Sequence, residues 1–106
     1  MGINAFTVTG NTVTFTANTT APSAVQAIST TLGGNQYRII NNGSVTVFLG
    51  FSSSAATAAA NAANVATSLP LLPNTDEILT FTPNAYFTGK TTSGTAVIYV
   101  TPGDGL

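Results

Sequence analysis

The sequence predicts an all-β fold, an antiparallel β-sandwich or jelly roll of about seven to eight short strands. Two observations carry this prediction. Runs rich in Val, Ile, Thr, Tyr and Phe recur along the chain, and Gly, Pro and Asn turn signals separate them roughly every 8–12 residues. The 106 residues suffice for one hydrophobic core. We therefore expect a single β-sandwich domain over residues 1–106.

Two strictly alternating segments near the start predict a β-hairpin over about residues 5–16. Gly10 and Asn11 lie between these segments and are typical of a two-residue hairpin turn. Such a turn would pair Val8 with Val13 on one face and place the threonines on the other face. The next apolar residues, near Val25, suit a short edge strand.

Residues 36–50 predict a second hairpin, around which the rest of the fold is expected to form. A three-residue loop at residues 41–43 would pair Ile39 with Val45. A slip of one residue would turn the apolar side chains outward, and this favours the chosen register. The inward face would then contain Tyr37, Ile39, Val45, Val47 and Leu49.

Residues 52–68 consist almost entirely of Ala, Ser, Thr and Asn. Alanine favours helix, but no stripe of large apolar side chains would anchor one, and Ser, Thr and Asn compete for backbone hydrogen bonds. We therefore predict an Ala/Ser/Thr-rich surface loop over about residues 52–68, with a full helix as the alternative.

The remaining chain predicts three further strands, at residues 77–82, 86–88 and 95–101. The last is apolar on both faces, as expected of a central strand, and Pro102 is expected to end it. Lys90 is placed in the turn that precedes this strand.

Composition excludes several classes of function. Only five residues are charged, the net charge is −1, and cysteine and histidine are absent. Clustered basic residues for nucleic acid or for a membrane surface are therefore missing, as are thiol and imidazole ligands for a metal. We expect no cofactor. Because charged residues make up only 5% of the chain, much of its surface is expected to contact other protein.

The carboxylates offer no catalytic pair. Asp76 and Glu77 are adjacent, and successive side chains of a strand point to opposite faces. We expect Asp76 to cap the turn before the strand and Glu77 to keep the sheet edge soluble. The sequence therefore predicts a protein that is not an enzyme, with no catalytic, cofactor-binding or metal-binding residue.

Three residues are candidates for a protein interface: Arg38, Phe48 and Lys90. Arg38 is a charge in the middle of a strand, and it is either an anchor between subunits or an outward residue that protects the sheet from edge pairing. Phe48 lies on the same predicted outward face. Lys90 is a solvated or interface lysine. A competing hypothesis is a sugar-stacking platform formed by Tyr37, Tyr86, Phe87 and Tyr99.

Three segments resemble a known family: residues 37–50 (YRIINNGSVTVFLG), residues 69–75 (LPLLPNT) and residues 94–105 (GTAVIYVTPGDG). With the Ala/Thr-rich stretch between the first two, their order resembles small virion proteins of tailed bacteriophages, in particular head decoration (cement) proteins. Asn74 stands where glycine is expected in the turn, and asparagine tolerates the same left-handed geometry. The N-terminal third carries no resemblance.

The resemblance implies a non-enzymatic structural protein that binds the outside of a capsid and stabilises contacts between major capsid subunits. It implies a jelly-roll or sandwich domain, often a dimer or trimer, made in the host cytoplasm and located on the virion surface. The alternatives are another virion subunit, such as a head fibre, tail or adaptor protein, and a carbohydrate-binding module. Nucleic acid and membrane are not expected partners.

Overall fold

The computed structural model describes residues 6–29 and 35–104. These residues form nine strands, one α-helix and one short 3₁₀ helix at Val65–Thr67. The nine strands and the helix are, in chain order, β1 (Thr7–Val8), β2 (Val13–Ala17), β3 (Val25–Gln26), β4 (Gln36–Asn41), β5 (Val47–Ser52), α1 (Ala55–Ala63), β6 (Leu69–Leu71), β7 (Thr75–Thr80), β8 (Tyr86–Lys90) and β9 (Ala96–Asp104).

The strands form two antiparallel sheets that pack together, which confirms the predicted all-β sandwich. The first sheet has the order β1/β2–β9–β4–β7, with β1 and β2 both paired to β9. The second sheet has the order β3–β8–β5–β6. As predicted, β9 is central, with β2 on one side and β4 on the other, and β3 is a short edge strand.

The strand pairing is that of a jelly roll. The chain folds back on itself at α1, so that β5 pairs with β6, β4 with β7, β3 with β8 and β2 with β9. Wrapping this folded ribbon into two layers adds the β4–β9 and β5–β8 pairs. The fold is therefore two interlocked sets of antiparallel strands with one core between them.

The core lies between the sheets and is centred on aromatic rings. Tyr37 of the first sheet meets Phe87 of the second edge to face, with ring centroids 4.9 Å apart. The Tyr37 hydroxyl donates a hydrogen bond to the carbonyl of Thr82 (2.6 Å) and accepts one from the Ala85 amide (3.1 Å). Burial raises the pKa of Tyr37 above its ordinary value. These bonds fix the turn between β7 and β8 against the core.

The predicted N-terminal hairpin over residues 5–16 does not form; Ala5 lies outside the described residues. Both β1 and β2 run antiparallel to β9, so they follow each other in one direction instead of pairing. Gly10 is required for close approach and not for a reversal, because a Cβ there would lie 2.1 Å from the carbonyl oxygen of Ile28. Strands β1 and β2 both form their backbone hydrogen bonds with the central strand β9, and not with each other.

The predicted pairing within residues 36–50 is also wrong. Strand β4 belongs to the first sheet and β5 to the second, so the segment between them crosses the sandwich. The buried side chain of Asn41 holds this crossing. Its amide nitrogen donates to the carbonyls of Val45 (3.0 Å) and Leu71 (3.1 Å), and its oxygen accepts from the Gly43 amide (3.0 Å). The side-chain bonds replace those of a hairpin turn.

The predicted loop over residues 52–68 is a helix for nine of its residues, α1, so the helical alternative was the right one there. The helix packs on the outer side of β5 through two small side chains, Ala58 and Ala62, which are buried. Gly50 allows this contact, because a Cβ there would lie 2.1 Å from the Ala58 carbonyl oxygen. The Asn61 side-chain amide also donates to the Phe51 carbonyl (3.2 Å). Close backbone approach, and not a stripe of large residues, therefore anchors α1.

Two predictions near the C-terminal part of the chain need correction. Lys90 is the last residue of β8 and not part of a loop. Pro102 lies inside β9 and does not end it. The Pro102 carbonyl accepts a bond from the Thr9 amide (3.0 Å), so its missing N–H would point to the same side, where pairing is interrupted between β1 and β2. Asn74 has the expected left-handed geometry, with φ of 57°.

Candidate functional site

The outer side of the first sheet is open to solvent and carries exposed apolar side chains among polar ones. Alternation along β4, β7 and β9 places every second side chain on this side, away from the core. We define the open face by five of its exposed residues, which are Val8, Arg38, Asp76, Ile78 and Tyr99. Val8 is 61% exposed, Ile78 52% and Tyr99 37%. Among the described residues no helix covers this face, whereas α1 lies over the other sheet.

An ion pair lies in the middle of the open face. The Arg38 guanidinium donates to both oxygens of the Asp76 carboxylate, from Nε at 3.1 and 3.0 Å and from Nη2 at 2.5 Å. The strands β4 and β7 bring these residues together from positions 38 apart in sequence. Arg38 is therefore an outward residue with a partner in its own chain. Asp76 is a strand residue and does not cap the turn, which corrects the sequence-based expectation.

This pairing has a pH signature. The hydrogen bonds from Arg38 lower the pKa of Asp76 below its ordinary value of 3.8. Its stabilising contribution is therefore present above that value and is lost as the pH falls through the lower, folded-state pKa. We expect wild type to exceed Asp76→Asn slightly in urea midpoint near neutral pH, with the gap closing as the pH falls below 3.8, the ordinary pKa of the carboxyl. The gap is small because both side chains are about half exposed. A gap that stays constant on acidification would contradict this.

The open face is shaped as a shallow groove of about 720 Å³ around the ion pair. Two threonine hydroxyls, those of Thr12 and Thr101, are hydrogen bonded to each other at 2.6 Å along one side. Phe6 lies beside Val8, and Ile78 lies on the opposite side. The face therefore combines exposed aliphatic and aromatic surface with polar groups that already satisfy one another.

A second surface lies on the other sheet. Phe48 and Lys90 are directly paired across β5 and β8, so the structure brings together two of the three predicted interface residues. Arg38 is on the opposite sheet. A groove of about 360 Å³, here named the Lys90 groove, opens beside the C-terminal end of α1. Its lining residues are Thr19, Phe48, Ala62, Ala63, Val65, Lys90, Thr91 and Thr92.

The aromatic platform proposed for sugar stacking is not assembled. Tyr37 and Phe87 are fully buried in the core. Tyr99 lies on the open face, while Tyr86 belongs to the other sheet. No group of three or more potential metal-ligating side chains occurs within residues 6–29 and 35–104.

Comparison with known proteins adds no relative. No protein-family model, curated protein or solved structure matches the chain. In the part of the chain that the structure describes, no helix is long and apolar enough to cross a membrane.

Sequence reasoning missed the open face as a unit. Its signal was present in the last strand, where Val97, Tyr99 and Thr101 alternate with the buried residues. The sequence predicts burial on both faces of that strand, because apolar residues alone do not show whether a second layer covers them.

Proposed function

We propose that this protein is a non-enzymatic structural component of a bacteriophage virion that binds the outside of the capsid and stabilises contacts between major capsid subunits. It acts as a homo-oligomer, a dimer or trimer, and the open face is the surface that contacts the capsid. Its location is the virion surface. The resemblance of residues 37–50, 69–75 and 94–105 to decoration proteins supports this proposal.

The single observation that carries the proposal is the combination of apolar exposure and charge neutrality on the open face. Val8, Ile78 and Tyr99 expose apolar side chains on the same side of the sheet, and exposed apolar side chains that share one face favour a protein contact. Arg38 and Asp76 neutralise each other in the same face. A partner therefore needs no compensating charge, and burial of apolar surface supplies the binding free energy.

The mechanism is bridging. A specific protein contact buries roughly 1,600 Å² in total, about 800 Å² on each partner. A rigid two-sheet domain that places its open face across two neighbouring capsid subunits adds such a contact without any covalent chemistry. The position of α1 on the opposite sheet leaves the open face free of the chain's own secondary structure in the described residues.

Co-sedimentation with expanded, undecorated phage heads tests the proposal. We expect saturable binding that changes little between low and high salt, because a neutral apolar contact is weakly screened. Binding only at low salt would contradict an apolar contact. No binding to heads, together with recovery of the protein in tail fractions, would favour the tail or adaptor alternative.

Replacing Val8 by lysine is expected to weaken head binding by about tenfold or more, since it places an unpaired charge in the contact. Leu72→Lys is the matched control: Leu72 is exposed to the same extent, 61%, but lies outside the open face. Both variants should keep the wild-type melting temperature within a few degrees. Equal loss of binding by the two variants would remove the open face from the proposal.

A further inference from the structure

The charged side chains of one copy do not all form ion pairs within that copy. All five charged residues lie in the described ranges, and Arg38 is paired with Asp76. Lys90, Glu77 and Asp104 remain, and within the described residues none of them forms an ion pair. The molecule therefore has one unpaired cation and two unpaired carboxylates.

The unpaired cation is held in a largely apolar setting. Lys90 is half-buried in the Lys90 groove, where Phe48, Ala62 and Val65 supply apolar surface. No described residue accepts a hydrogen bond from its ammonium group. A carboxylate entering the groove would satisfy the ammonium, and the hydrocarbon part of its side chain would cover the Phe48 ring.

The chain itself carries a segment with this chemistry. Glu77 is exposed on β7, the edge strand of the first sheet, which pairs with β4 on one side only. Its side chain lies on the side of β7 opposite to the open face, because Glu77 is paired with Ile39, which is buried in the core. Asp104 is less suited, because it is half-buried and paired in β9 between β1 and β4. Glu77 is thus the one exposed carboxylate without a partner among the described residues.

We propose that the Lys90 groove binds the β7 edge of a second copy of this chain, with Glu77 of that copy paired to Lys90. Within one copy the two side chains are on different sheets and form no ion pair. The contact uses side chains and not backbone pairing along β7, so it is compatible with an edge strand whose acidic residues oppose sheet extension. This inference rests on the homo-oligomer in the proposed function but not on head binding.

The contact is between two different surfaces, the groove of one copy and the edge of another. Repeated head to tail, it closes into a ring if the rotation permits; alternatively, both contacts form at once in a two-fold dimer. In either case each copy satisfies its cation with a neighbour's carboxylate. The open face is not used, which leaves it available for another partner.

Charge reversal with mixing tests the proposal on the isolated full-length protein. We expect wild type to assemble, as measured by sedimentation velocity and light scattering. Lys90→Glu and Glu77→Lys alone should each weaken assembly by about tenfold or more, because each opposes like charges. An equimolar mixture of the two variants should form dimers or even-membered rings again, since every contact between unlike variants joins opposite charges. A three-membered ring of the mixture always contains one contact between like variants, so the double variant Lys90→Glu/Glu77→Lys, in which every contact joins opposite charges, tests that case.

The mixture separates an effect on assembly from an effect on folding. Each variant is the same protein in the single and the mixed sample, so assembly that appears only on mixing shows that both variants are folded. Thr80→Lys, which adds a positive charge at an exposed position of the same strand, is the control and should assemble like wild type. A wild type that stays monomeric up to about 100 µM overturns the proposal. It is also overturned if the single variants assemble normally, or if neither mixing nor the double variant restores assembly. Head binding is not part of this readout, so the two proposals can fail separately.

Discussion

Replacing Gly50 by valine should separate α1 from the second sheet and lower the free energy of unfolding by about 3 kcal/mol or more. The Cα hydrogen of Gly50 that takes the place of a side chain points towards the helix backbone. A Cβ there would lie 2.1 Å from the Ala58 oxygen and 2.5 Å from the Ala62 nitrogen. Backbone atoms cannot move aside as a flexible side chain can, so the helix must shift as a whole. Urea unfolding gives the change in stability, and far-UV circular dichroism reports the helix.

Ser52→Val is the matched control for this variant. Ser52 occupies the next outward position of β5 and is half-buried. The substitution removes one long, exposed hydrogen bond, which the Ser52 hydroxyl accepts from the Ser54 amide (3.3 Å). Valine has a higher strand propensity than serine, and a net change of less than about 1 kcal/mol is expected there. If Gly50→Val and Ser52→Val unfold at the same urea concentration, close packing between the helix and Gly50 does not contribute to stability.

Replacing Asn41 by alanine should lower the free energy of unfolding by about 3 kcal/mol. The substitution leaves three backbone groups without their partner: the carbonyls of Val45 and Leu71 and the amide of Gly43. The Leu71 bond is buried, so water cannot replace it without cost. Because Asn41 holds the crossing from β4 to β5, backbone protection in that segment should fall in hydrogen exchange.

Asn42→Ala controls for the loss of an amide side chain in the same segment. Asn42 is exposed, and only its backbone amide is bonded, to the Val97 carbonyl. Its substitution should change stability by less than about 0.5 kcal/mol. Asn41→Asp tests the donor and acceptor roles of this side chain separately. The carboxylate can still accept the hydrogen bond from the Gly43 amide, but the two bonds that the Asn41 nitrogen donates are lost. An Asn41→Ala variant as stable as Asn42→Ala would show that the crossing is held by other contacts.

For both surfaces of this protein, sequence indicated individual residues but not their arrangement. Low charge predicted a surface that contacts protein, and Arg38, Phe48 and Lys90 were singled out within it. The Arg38–Asp76 pair could not be derived from sequence, because it depends on β7 lying beside β4 in this register. The Lys90 groove likewise depends on α1 ending beside β8, which requires the helix that composition did not predict.

Local alternation determined which side chains are buried. Tyr37, Ile39, Val47 and Leu49 face the core as predicted, although the hairpin proposed to hold them does not exist. The period of two belongs to each strand separately, so it holds whichever neighbour that strand takes. Inward residues are therefore readable even when the pairing is wrong.

Pairing itself was decided by tertiary structure. Pairing two strands that are adjacent in sequence closes the shortest loop and therefore costs the least chain entropy. This favours the predicted hairpins around Gly10 and residues 41–43. In the folded protein, β2, β4 and β9 share one sheet, and the core between two sheets buries more apolar surface than either hairpin. Gly10 and Gly50 serve that packing, because each allows a backbone approach that no other residue permits. Such approaches join distant segments, and no local pattern encodes them.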